Sequence, residues 1–356
     1  MGCNQSVGSL HPAPDLLLQK VFQAIRSNSV KRLGSLLKYH LKSLPVSVLD
    51  DSHLSDSGKT FNPLTLSALL GNSKAFDLLL KHGCSLSKME SLLRKQNLSL
   101  IEIICVNGHL DLLKVYFPHY KELKRHKSEN DFTSSFIYEY KNEVKLTPVQ
   151  LASFYGQVEV VEFFYKHWEN SEDKYPEFNV HAVDEVTGEN CAFIACRQGH
   201  LELVKYLNST CGADFLCLNL SKESTVMVAV AGMKKNLSFS YVEVVEYLVE
   251  TVKVDLLYNY EEVLISAQLP CLVEYLESKL KELGVFVSKK MVDKHIMKSV
   301  KLVKESVVSN GPFFTSSFLK SIEDNRRQSR LSSIGVSAGS FESEPVFEDL
   351  FGVPGH

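Results

Sequence analysis

The sequence predicts an all-α protein built as a solenoid of stacked helix pairs. Two observations predict it. A short block recurs in which small or apolar residues lead to a glycine and then to an apolar amphipathic run: Leu64–Asn72, Ile104–Leu110, Pro148–Gln157 and Ala192–Leu201. Each block continues into a second apolar segment, at 75–83, 111–116, 158–164 and 201–207. Their apolar residues recur at the three- and four-residue steps of one buried helix face. Such a repeat decides the architecture before any local propensity does. It also sets the functional expectation, because stacked repeats build extended binding surfaces.

In chain order, residues 1–15 read as irregular. Residues 16–39 read as a helix pair, with Leu18, Val21, Phe22 and Ile25 on one face, and serve as an N-terminal cap. The repeats follow to about 286. The aligned glycines Gly71, Gly108, Gly156 and Gly199 are spaced 37, 48 and 43 residues apart. The excess over a regular unit falls in loops, most of it around 121–142 and then around 170–189. Residues 287–308 read as an extra helix with Val292, Ile296, Val300, Val303 and Val307 along one stripe, suited to cover the end of the stack. From 309 to 356 Ser, Gly, Glu and Arg dominate, and a disordered tail is expected.

The blocks resemble the ankyrin repeat. Thr147-Pro148-Val149-Gln150-Leu151-Ala152 with Gly156 and Val158-Glu159-Val160-Val161 is the fullest copy. The copy at 190–214 keeps Ala195, Gly199-His200-Leu201-Glu202-Leu203-Val204 and Gly212-Ala213-Asp214. Asn62-Pro63-Leu64 with Gly71 and Gly108-His109-Leu110-Asp111 head two more. Residues 224–248 form a stretched copy, and 259–286 a worn last one. The resemblance covers 16–286 and implies a β-turn followed by two antiparallel helices in each unit. It implies a concave surface that grips another protein. It also implies that the two residues before each repeat glycine lie on the exposed side of the first helix. Aromatic residues and arginine are the usual anchors of interfaces. The expected protein-binding residues are therefore Phe154, Tyr155 and Arg197, with Gln198 beside them.

Composition narrows the classes. A formal net charge of -3 gives no general pull toward nucleic acid. No apolar stretch reaches the length of a membrane-spanning helix. Pro12, Pro14 and Asp15 interrupt the start before a secretory signal could form, so a cytosolic setting is expected. The eight cysteines then read as free thiols, and the glycosylation triplets at Asn97, Asn208, Asn219 and Asn236 carry no weight. Cys191, Cys196, His200, Cys211 and Cys217 depart from zinc-ligand spacing, so neither a metal nor a cofactor is expected. No phosphate-binding loop, metalloprotease helix or nucleophile elbow is present in the sequence. No catalytic residue is assigned. The competing reading is an enzyme or enzyme subunit with activity in the 121–142 insertion or the tail.

Three further motifs bear on partners. Met1-Gly2-Cys3-Asn4-Gln5-Ser6 fits N-myristoylation at Gly2, and Cys3 is placed for a second acyl chain. Up to residue 49, six basic residues face only Asp15, which favours an anionic leaflet. A peripheral place on the cytosolic face of a membrane follows as an expectation. Arg326-Arg327-Gln328-Ser329 resembles a basophilic-kinase substrate, so Ser329 is the expected phosphorylation site. Phe347, Leu350 and Phe351 would share one face of a helix, the spacing of helix-in-groove recognition.

Overall fold

A computed structural model describes residues 14–287 apart from 41–46, 52–53, 57–58, 97, 126–136, 139–143, 171–174 and 234–237. All of these lie in one compact unit, Met1–Ser299; the second unit, Val300–His356, contains none of them. The capping stripe at 292–307 and the tail therefore fall outside the described residues.

Among the described residues the regular structure is helical apart from two short antiparallel hairpins. The helices come as pairs: α1 (Pro14–Arg26) with α2 (Val30–His40), α4 (Pro63–Leu69) with α5 (Ser73–Lys81), α7 (Leu100–Asn107) with α8 (Leu110–Arg125), and α9 (Pro148–Phe154) with α10 (Val158–Asn170). Then come α11 (Cys191–Gln198) with α12 (Leu201–Ser209), α13 (Thr225–Gly232) with α14 (Ser240–Tyr247), and α15 (Tyr260–Ser266) with α16 (Pro270–Glu282). The short α3 (Ser47–Asp50) and the hairpin β1 (Leu54–Asp56)–β2 (Lys59–Phe61) precede α4. The hairpin β3 (Ile137–Tyr138)–β4 (Val144–Lys145) precedes α9. One helix, α6 (Leu86–Arg94), stands between pairs and packs on α4; the repeat pattern does not predict it. The segment read as an insertion from Lys121 begins as helix, since α8 runs to Arg125.

Neighbouring pairs stack in chain order. The first helices touch in the series α1, α4, α7, α9, α11, α13, α15, and the second helices in the series α2, α5, α8, α10, α12, α14. The two kinds of helix are buried differently. In α9 and α11 nearly every residue is inaccessible, Pro148–Ser153 and Cys191–Arg197. In α10 and α12 only one stripe is buried, Val160, Val161 and Phe164, then Leu203, Val204 and Leu207. The inner first helices α4, α7, α9, α11 and α13 thus have neighbours on nearly all sides, and second helices keep a wet face.

Local signals start five of the first helices. Thr147 and Gln150 form a reciprocal capping box on α9, as Ser99 and Glu102 do on α7. Asn62, Asn190 and Ser224 cap α4, α11 and α13 with their side chains. Each such cap satisfies helix-terminal N–H groups that otherwise lack partners. Between α10 and α11, Phe178 stacks on Phe164 at 4.4 Å between ring centroids. The Tyr120 hydroxyl donates to Glu177 at 2.8 Å. These two contacts hold the loop against α8 and α10.

Candidate functional site

In four of the pairs the turn between the helices is built around a glycine with positive φ: Gly71, Gly108, Gly156 and Gly199, at 66°, 70°, 68° and 74°. Glycine is needed there twice over. It enters the left-handed region without steric cost, and the next pair approaches too closely for a side chain. A Cβ on Gly71 would lie 2.5 Å from the His109 ring, and one on Gly156 would lie 2.6 Å from the His200 ring.

The residue after each glycine seals its pair to the preceding one. Asn72 Nδ2 donates to the Ile25 carbonyl at 2.7 Å, and Gln157 Nε2 to the Val106 carbonyl at 3.0 Å. His109 Nε2 meets the Leu69 carbonyl at 3.2 Å, and His200 Nε2 meets the Phe154 carbonyl at 2.9 Å. A carbonyl only accepts, so Nε2 carries the proton in both rings. The acceptors sit at the ends of the preceding first helices, where carbonyls lack intrahelical donors. Burial lowers the pKa of both imidazoles, and the bond to the carbonyl opposes that shift only in part. Sequence reasoning placed His200 after a repeat glycine but missed the clamp. Its signal was available: a polar residue, Asn, His, Gln or His, follows all four glycines.

The four expected binding residues fall at the ends of two adjacent first helices. Phe154 closes α9, Tyr155 follows it, and Arg197 and Gln198 close α11. The Phe154 and Tyr155 rings meet edge-on at 5.3 Å, and both residues are half-buried. Phe154, Arg197 and Gln198 line one cleft together with Leu146, Asp184, Thr187, Glu189 and Ile194. The cleft encloses about 10 Å³, room for about one water. A pocket for a small organic ligand is far larger.

Arg197 is not an exposed anchor, which corrects the expectation from the repeat pattern. Only 9% of its surface is accessible. Its guanidinium pairs with Glu189 through two nitrogens and reaches Glu223 Oε2 at 3.5 Å. Asn219 Nδ2 donates to Glu189 Oε1 at 3.0 Å and to Glu223 Oε2 at 2.9 Å. Burial pulls the guanidinium pKa down and Glu223 pushes it back up. Glu189 ends the loop before α11, and Glu223 ends the loop before α13. The cluster therefore ties α11 to the loops on both of its sides. Neither glutamate was singled out from the sequence.

Gly2, Cys3 and Ser329 lie outside the described residues, as do Phe347, Leu350 and Phe351. Cys191, Cys196 and Cys211 are buried. Burial pushes the Cys191 thiol up to about 12 and the Cys211 thiol up to about 11, so both stay protonated and unreactive near neutrality. Among the described residues no group of three His, Cys, Asp or Glu side chains is placed to hold a metal ion. Among them, too, no helix is long and apolar enough to cross a membrane. Comparison of the chain with protein-family models and with curated proteins finds no match.

Proposed function

We propose that the chain is an ankyrin-type repeat array that binds another protein, tethered by N-terminal lipid to the cytosolic face of a membrane. One observation carries the first half. The five helix pairs from α1/α2 to α11/α12 are sealed to one another by a recurring polar clamp at the glycine turn, so each satisfies its neighbour's carbonyl. Stability then comes from the interfaces. The row of first-helix ends and the loops that precede them is left for recognition. Phe154 and Tyr155, with Gln198 beside them, are the side chains of that row suited to contact a partner. Arg197 acts behind them by fixing the loops.

The second half rests on Met1-Gly2-Cys3-Asn4-Gln5-Ser6 and on charge. Lys31, Arg32 and Lys38 are exposed on α2, and no acidic residue occurs between Asp15 and Asp50. One myristoyl chain binds a membrane only marginally, so a palmitoyl chain on Cys3 and the basic helix would add the missing affinity. Expression of the full-length chain in a cell competent for myristoylation tests this. Wild type should fractionate with membranes, Gly2→Ala should be soluble, and Cys3→Ser should keep its myristate but bind more weakly. A soluble wild type with an unmodified or acetylated start would refute the tether and leave the array.

A further inference from the structure

The loops before α11, α13 and α15 share one turn. Each carries an aspartate whose carboxylate accepts the backbone N–H two residues further on. Asp184 Oδ2 accepts from Val186 at 3.0 Å, Asp214 Oδ1 from Leu216 at 2.8 Å, and Asp255 Oδ1 from Leu257 at 2.8 Å. The turn sends that residue outward. In all three loops it is aliphatic and exposed, with 56%, 65% and 45% of its surface accessible. The middle loop adds Leu218 and Leu220, also exposed. Turn positions normally carry polar residues or glycine, so five aliphatic side chains there call for a reason.

The loops are also held to one another. The Leu220 N–H donates to the Thr187 carbonyl at 2.9 Å, and the Tyr258 hydroxyl donates to the Lys222 carbonyl at 3.0 Å. The exposed side chains therefore form a strip across three hydrogen-bonded loops rather than scattered apolar positions. Around them the same loops carry Asp184, Glu185, Asp214 and Asp255 against Lys222 and Lys253. The three turn aspartates accept these hydrogen bonds through their carboxylate oxygens.

We propose that this strip is a docking site for a protein segment whose aliphatic side chains are flanked by lysine or arginine. The proposal rests on the reading of the chain as a protein-binding array, and it names the chemistry of the partner. The aliphatic residues supply the area removed from water. The carboxylates select the basic flanks and speed encounter. Because the loops are already tied together, little ordering entropy opposes binding. The same carboxylates would repel the anionic surface of a phospholipid leaflet or of a nucleic acid.

Random-peptide display on the immobilised full-length chain tests it, with affinities then measured by calorimetry. Enriched peptides should combine Leu, Ile or Val with Lys or Arg and weaken as salt is raised. Their affinity should fall at least about tenfold on Leu216→Ser/Leu220→Ser/Leu257→Ser. That variant should keep the wild-type circular dichroism and melting, since the altered side chains are exposed. Glu185→Lys, which leaves every turn hydrogen bond in place, should weaken the same peptides severalfold. Peptides that bind the triple variant unchanged but are lost on Tyr155→Ala would overturn the strip and keep the array as a binding module. Enrichment of acidic peptides would also overturn the strip. No enrichment on wild type would overturn both. Binding to neutral lipid vesicles that disappears in the triple variant would show membrane insertion and overturn the protein partner.

Discussion

Two kinds of seam hold the helix pairs together. At Asn72, His109, Gln157 and His200 a single polar side chain crosses to a carbonyl of the preceding pair. Between α11 and α13 that device gives way to Gly199 packed on Ser240 and the Tyr241 ring, and to the buried cluster of Arg197, Glu189, Glu223 and Asn219. The first kind tolerates an amide or an imidazole, because only one donor at the right reach is needed. The second demands its own partners, because a charge taken out of water must be matched. A clamp therefore adds modestly to its seam, whereas the ion cluster is costly to disturb.

The sharpest way to break the comparison is to delete one member of each kind. Arg197→Ala should cost about 3–5 kcal/mol, since it leaves Glu189 buried without its cation. Gln157→Ala should cost about 1 kcal/mol, the net worth of one hydrogen bond. Urea unfolding of the two variants checks this, and equal losses would erase the distinction. Next in size is Gly232→Ala. A Cβ there would press into the Arg197 carbonyl oxygen, backbone against backbone. With no flexible side chain to yield, the cost should be about 3 kcal/mol or more. A melting temperature like wild type would mean that α11 and α13 are further apart than described.

The smallest effect separates the clamps from one another. His109 and His200 have pKa values lowered from 6.5 by burial, so the unfolded chain takes up protons first. Their contribution to stability is present above about pH 6.5 and is lost as pH falls from there through the folded pKa. The amide clamps carry no such dependence. His109→Gln/His200→Gln should therefore unfold with a flatter pH profile between about pH 5 and 7. A profile that stays as steep would place the acid sensitivity elsewhere.

Much of the fold was legible because its determinants are local. The glycines and the apolar stripes of the second helices all lie within one turn of what they act on. The helix α6 escaped because Leu86, Met89 and Leu93, although at helical steps, stand between two blocks of the repeat and belong to neither. The candidate site was legible in place but not in character. Phe154, Tyr155, Arg197 and Gln198 do end neighbouring helices, yet the burial of Arg197 depends on Glu223, 26 residues away. Only stacking brings that loop over α11. The leucines of the strip were missed for the opposite reason, since a turn tip holding Leu216 reads as core in sequence.

The central claim is that this array grips a protein at the membrane. The most direct measurement is native mass spectrometry of the full-length chain, cross-linked and purified from the membrane fraction of its own cells. The account predicts a complex with a second protein in fixed ratio, acylated at Gly2, in which the cross-links fall on the ends and loops of α9 to α15. A chain that emerges alone, or one cross-linked only through residues outside 14–287, would contradict it.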